Sequence, residues 1–429
     1  MKTILTACVA LVLAGFAQAK TWQVGPAREM KALTSVAGKL KAGDVVELDP
    51  GTYREVLQLR ASGTKEAPIV IRGVGKAYPV FDAQGLDTSG RGPVPRGIIE
   101  VRGGYVTLEH LELKNARNGS NAAGVRLVAS TNAVLRDLRI HHCDIGVFGD
   151  DKETATIESC DVGFNSTDKW VGYAHNFYMH GNRVVVRNSR IHDCPYGQNF
   201  KTRAHYNELW YNWIADSDEG EVGPVDGKAE TDRPNSNMLM VGNVIVSPKE
   251  RAKDGNPSKF ILFGSEMKGS HDGTLYMFHN TLVAGSPKII FVQLADPKAR
   301  AVIRNNIFVG SDQIMRNSST PVSVVGSHNW LPKTSQSATA AAPPGFSDTL
   351  TGADPGFLDF AKRDFRLRPT SPCIDRGAAD LEYVDGDGVK HVLKIDRSYR
   401  PHVSLMPRVP TGLPDLGAYE LGAKFDEAK

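Results

Sequence analysis

The chain has 429 residues, of which 51 are basic and 48 acidic, giving a net charge of +3, and 41% are apolar. So balanced a charge gives no bulk attraction to nucleic acid, and an acidic partner has to be met by a local patch. The length suits one large domain or two ordinary ones, and no Cys-x-x-Cys spacing marks a metal site.

The opening MKTILTACVALVLAGFAQAK sets Lys2 before an apolar run that reaches Ala17-Gln18-Ala19. That is the pattern of a secretory signal peptide cleaved after Ala19. No later stretch is long and apolar enough to span a bilayer. The expectation is a secreted or periplasmic, soluble, monomeric protein with no membrane span. Export permits disulfides, but a chain of this size does not need them. Cys143, Cys160, Cys194 and Cys373 are therefore read as buried thiols, with pairing left open.

Next, AREMKALTSVAGKL (27–40) predicts a short helix that caps one end of the domain. From about residue 42 helical periodicity fades and a six-residue pattern recurs: LEHLEL (108–113), LRDLRI (135–140), IESCDV (157–162) and VRNSRI (186–191). It continues as LWYNWI (209–214), MVGNVI (240–245), MFHNTL (277–282) and IRNNIF (303–308), at intervals of 22 to 37 residues. A repeat of this length built of short strands predicts an all-β solenoid, a parallel β-helix, spanning residues 20–330 with its cap. The fourth position ends in Asn212, Asn243, Asn280 and Asn306, whose amides are expected to stack from coil to coil about 4.8 Å apart. Outward positions alternate Arg136/Arg139, Glu158/Asp161 and Arg187/Arg190, a ladder of opposite charges across adjacent strands. The same positions next carry Trp210 and Trp213. Two readings stand for them: packing against a terminal segment, or a platform for sugar rings. Residues 331–429 begin Ala/Pro/Ser/Thr-rich and read as an irregular C-terminal extension covering the other end.

After each landmark a further strand follows: GVRLV (124–128), IGVFG (145–149), HNFYMHG (175–181), GQNFKTR (197–203) and, two coils on, FILFGSE (260–266). Alternation puts Asn176, Tyr178 and His180 on one face, with His175 on the other. Lys201 and Arg203 share a face one coil away, about 5 Å from Tyr178, with Glu266 further along. The acidic stretch ADSDEGEVGPVDGKAETD (215–232) is rich in hard oxygen ligands, so calcium is a possible cofactor. No spacing there identifies a site, and a solvated loop is the preferred reading. DGDG (385–388) lacks the distal glutamate of an EF-hand and reads as a turn.

AGDVVELDPGTYRE (42–55), APIVIRG (67–73) and VFDAQG (80–85) resemble the opening of bacterial right-handed parallel β-helix proteins of the pectate-lyase-like superfamily, including chondroitinase-B and alginate-lyase types. SPCIDRG and DLGAYE resemble the closing segment of such secreted proteins. HNFY, GxxxKxRA and GSE resemble a polysaccharide-lyase-like site. That resemblance marks His175, Asn176, Tyr178, Lys201, Arg203 and Glu266, and implies an acidic polysaccharide as substrate.

The chemistry is consistent with it. β-Elimination removes a weakly acidic proton beside a uronate carboxylate, so that carboxylate's charge must be neutralised, a task suited to Arg203. Lys201, Tyr178 or His175 would serve as base, and Tyr178 or a histidine as acid. No redox cofactor is required. Relatives of the chondroitinase-B type set the catalytic lysine and arginine on separate coils beside calcium. Here the two share one strand, a departure that weighs against a direct transfer of that mechanism. The alternatives are a glycoside hydrolase, using Glu266 with Asp226 or Glu230, a uronate C5-epimerase, or a non-catalytic carbohydrate-binding protein.

Overall fold

The computed structural model describes residues 19–150, 154–226, 232–247, 259–264, 271–317, 323–333, 342–401 and 403–425. The expected signal peptide lies almost wholly outside them. Strands wind into a parallel β-helix in which each full coil adds two strands to a 23-stranded sheet and one to a ten-stranded sheet. The six-residue landmark is the corner between the two strands on the larger sheet. Its third residue is left-handed in every copy: His110, Asp137, Ser159, Asn188, Tyr211, Gly242, His279 and Asn305 have φ between 50° and 63°. Few non-glycine residues adopt that conformation, so its recurrence marks one bend repeated along the solenoid.

Apolar positions on either side of the bend fill one continuous core running from Val24 to Leu331. Inside it the asparagine ladder forms as expected and runs one coil further. Asn212 Nδ2 donates to Asn243, Asn243 to Asn280, Asn280 to Asn306 and Asn306 to Asn329 at 2.9 to 3.1 Å. Each amide thus meets its partners without water, as buried polar groups require. On the outside Glu158 bridges Arg136 and Arg187, and Asp161 meets Arg190.

Three segments differ from expectation. The cap is a single helical turn, Thr34–Ala37, whose Val36 is buried together with the flanking Leu33 and Leu40; the rest of 27–40 is irregular. The acidic stretch is not a solvated loop in its described part, because Gly220–Val225 is a strand of the ten-stranded sheet. Val222 and Val225 enter the core there. The extension does not merely cover the far end. Phe346–Ser347 and Leu350–Gly352 still pair onto the large sheet. Beyond them the chain folds back along the solenoid's flank, where Phe357, Phe365, Leu416 and Tyr419 pack on Ala215, Val244, Val283 and Trp330. The DGDG turn is as expected, joining the strands Glu382–Val384 and Lys390–Val392.

Candidate functional site

The ten-stranded sheet has an inner surface in the core and an outer surface on which polar and aromatic side chains gather. Register places Arg126, Phe148, Tyr178 and Lys201 in one outer row, one residue per coil. Phe177, Met179 and Phe200 face inward and are wholly buried, which fixes the outward parity of Tyr178 and Lys201. Tyr178 is the hub. Lys201 Nζ lies 5.1 Å and Arg203 Cζ 5.6 Å from its ring centroid, the neighbourhood expected from the sequence. Phe148 meets Tyr178 edge-on at 5.2 Å, and the His180 ring is 5.1 Å away. Lys201 and His180 are only 5% and 9% exposed, so the cluster is set into the surface.

Alternation fails just before this strand, and the roles of two residues exchange. Asn176 and Phe177 are consecutive, yet both are wholly buried. The Asn176 amide joins a second interior ladder: Asn165 Nδ2 donates to it, it donates to Asn199, and Asn199 Nδ2 donates to Glu221, at 2.9, 2.7 and 2.7 Å. Asn176 is therefore an interior scaffold residue, which corrects its assignment to substrate binding. The bend that turns Asn176 inward turns His175 outward. Its ring stands edge-on to Tyr178 at 5.3 Å, and Tyr178 in turn packs on an outer cluster of Ala123, Ile145, Phe148 and Ala174.

His175 is nonetheless completely covered. Nδ1 accepts the Gln198 backbone N–H at 3.1 Å, so the proton sits on Nε2. Burial, reinforced by the charges of Lys201 and Arg203, holds the imidazole well below its usual pKa, and it is neutral. Having no open face, it supports Tyr178 and does not meet a ligand, which corrects its reading as a catalytic group.

Residues 123–308 match the family described as a right handed beta helix region. Among solved structures, pectate lyase Pel9A is similar with a TM-score of 0.55 at 16% identity, covering 95% of this chain and 98% of that one. The chain is a right-handed parallel β-helix. Two further similar structures are a PL6 family polysaccharide lyase from Pseudopedobacter saltans (TM-score 0.49, 12% identity, 81% of this chain and 96% of that one) and a pectin methylesterase from Aspergillus niger (0.34, 10%, 79% and 92%). No curated protein sequence matches the chain. Identities this low speak for the fold, and the reaction has to be argued from the site.

On this β-helix Trp210 and Trp213 lie on the large sheet, away from the Tyr178 row. Trp213 packs on Phe365 and Tyr399 of the extension at 6.0 and 6.2 Å. Trp210 donates its indole N–H to Glu208 and joins the cluster around Leu381 and Leu393. Both are half-buried against the C-terminal segment, which favours packing over the sugar-platform reading. Asp226 is wholly buried, 3.7 Å from His271 Nδ1, which keeps it from a ligand as the second carboxylate of a hydrolase. Glu266 and Glu230 lie outside the described residues.

In the described part of the acidic stretch, Asp216 pairs with Arg363 and Glu221 accepts from Asn199. Among the described residues no helix is long and apolar enough to cross a membrane. The four described cysteines are free and buried, and burial pushes the Cys143, Cys160, Cys194 and Cys373 thiols up to about 12.

Sequence reasoning missed one part of the row. Arg126 lies 4.3 Å over the Phe148 ring and holds Asp150 at 2.8 Å. The signal was present, because GVRLV is another apolar strand with one cation at the outward parity.

Proposed function

We propose that the protein is a polysaccharide lyase that cleaves a uronate-containing glycan by β-elimination. One observation carries the reading: a tyrosine flanked by a lysine and an arginine on the outer surface of the ten-stranded sheet. In the reaction the C5–H and C4–O bonds break, a C4=C5 double bond forms, one proton leaves carbon and one is delivered to the departing oxygen. Charge builds on the uronate carboxylate as the C5 proton goes. Arg203 binds that carboxylate with its planar pair of donors, and the developing charge is stabilised there. Lys201 and Tyr178 exchange the two protons, with His180 beside them and neutral His175 holding the Tyr178 ring from beneath. Drawn this way, the reaction takes its positive charge from side chains and asks for no metal. The glycan is met outside the cytoplasm by a monomer.

The test is incubation with pectate, alginate and glycosaminoglycan panels while recording the ultraviolet absorbance of the unsaturated uronate product. Lys201→Ala and Arg203→Ala are each expected to lower the rate about 10²- to 10³-fold. New reducing ends without that absorbance would instead indicate a hydrolase, and an inverted C5 centre in an uncut polymer an epimerase.

A further inference from the structure

Beside the cationic row the sheet presents a surface of another kind. Trp170, Tyr173 and Tyr196 are 38%, 59% and 39% exposed. They stand in the segments that lead into the strands Phe177–Met179 and Gln198–Thr202. Isolated exposed aromatics are unremarkable, but a group of them beside a polar site indicates a surface meant to be covered.

The rings are held, not loosely tethered. Asp168–Trp170 is a 3₁₀ turn whose start is capped by the Thr167 side chain. The Tyr173 N–H returns to the Trp170 carbonyl at 3.1 Å. Gly172, at φ 80°, gives its N–H to the Tyr196 carbonyl on the next coil at 2.7 Å, and Ser166 Oγ accepts the Tyr196 N–H at 3.1 Å. Trp170 and Tyr173 stack with centroids 5.5 Å apart and planes 21° from parallel. The next residue, Ala174, packs with Phe148 and Tyr178, so the aromatics adjoin the row that carries the cations.

We infer that Trp170, Tyr173 and Tyr196 form a stacking ledge for the pyranose rings of the same glycan whose carboxylates meet Lys201 and Arg203. The inference rests on the acidic-glycan reading of the site and adds a specificity element to it. A pyranose has an apolar C–H face that packs on an aromatic ring, while its hydroxyl and carboxylate edges stay polar. A ledge continuous with a cationic row therefore fits an acidic sugar chain, one side stacked and the other charge-paired.

The test uses full-length Tyr178→Phe protein, which keeps both cations and lacks the phenol, in native gels containing polygalacturonate, alginate or hyaluronate. Trp170→Ala and Tyr173→Ala are then added, with circular dichroism confirming the fold. For the polymer that retards the parent, each added substitution is expected to raise the apparent Kd about three- to tenfold, and Trp170→Phe to restore most of the loss. An unchanged Kd overturns the ledge, as does a parent retarded by none of the three polymers. Failure of the lyase reading looks different. Ring-dependent retardation without unsaturated product from the wild-type protein keeps the ledge and removes the reaction. Product formation with ring-independent binding keeps the reaction and removes the ledge.

Discussion

Replacing Asn176 by alanine separates an interior role from a surface one. Asn176 Oδ1 accepts from the Asn165 N–H at 3.3 Å and from Asn165 Nδ2 at 2.9 Å. Its Nδ2 donates to the His192 carbonyl and to Asn199 Oδ1, both at 2.7 Å. Alanine removes all four bonds from a site with no water access. Asn165 Nδ2 keeps the Ile140 carbonyl, so the cost falls on the Asn165 N–H, the His192 carbonyl and Asn199 Oδ1. Each orphaned buried group costs about 1–3 kcal/mol, and partial relaxation limits the sum, so the expected loss is about 2–5 kcal/mol. Thermal and urea unfolding measure it, with amide exchange at Asn165 and Asn199 as a local probe because a solenoid can open by coils. Asn280→Ala, on the other ladder and away from the site, is expected to cost a similar amount. At a temperature where the variant is folded, its glycan affinity is expected to match the parent. Parental stability with lost affinity would refute the interior assignment and restore Asn176 to the ligand surface.

Tyr178→Phe keeps the ring contacts with Phe148 and His175 and removes only the hydroxyl. Turnover is expected to fall about 10²- to 10⁴-fold with an unchanged unfolding midpoint; wild-type turnover would remove Tyr178 from the proton transfers. His175 and His279 are buried neutral and held well below the usual value of 6.5, mainly by desolvation. The unfolded chain therefore binds protons that the folded one refuses, and stability is expected to fall as pH drops below 6.5, by up to about 1.4 kcal/mol per unit for each histidine. His175→Gln should flatten that acid limb in denaturation curves taken across the range, and an identical limb would contradict the assignment. Trp213→Ala is expected to cost about 3 kcal/mol by loosening the extension, read by thermal unfolding, without altering glycan retardation in gels. Turnover is expected to survive dialysis against a calcium chelator, and loss restored by added calcium would replace the side-chain cations with a metal.

Much of this was legible because a solenoid repeats its local rules. Asn212, Asn243 and Asn280 disclose a ladder once aligned, and the spacing of HNFYMHG and GQNFKTR is enough to set Tyr178 against Lys201. What failed did so for two physical reasons. Alternation assumes an unbroken strand, and the corner between Asn176 and Phe177 shifts parity by one, exchanging the fates of His175 and Asn176. Trp210 and Trp213 pack against residues such as Leu381, Phe365 and Tyr399, more than a hundred positions later in the chain, and no local pattern reports such a contact. The same blindness made Gly220–Val225 look like a solvated loop, because its one acidic residue, Glu221, finds its partner Asn199 only in the folded solenoid.

The second interior ladder also accounts for where the site lies. Asn165, Asn176, Asn199 and Glu221 are linked across the coils that carry Tyr178, Lys201 and the strand beyond. An all-apolar corner of these coils would leave the alternation free to continue, with Asn176 on the outer surface and His175 in the core. Each amide instead reaches the next polar group inside, which fixes the bend and sets His175 edge-on to the Tyr178 ring. That neutral imidazole, held by the Gln198 N–H, limits where the ring can settle between the two cations.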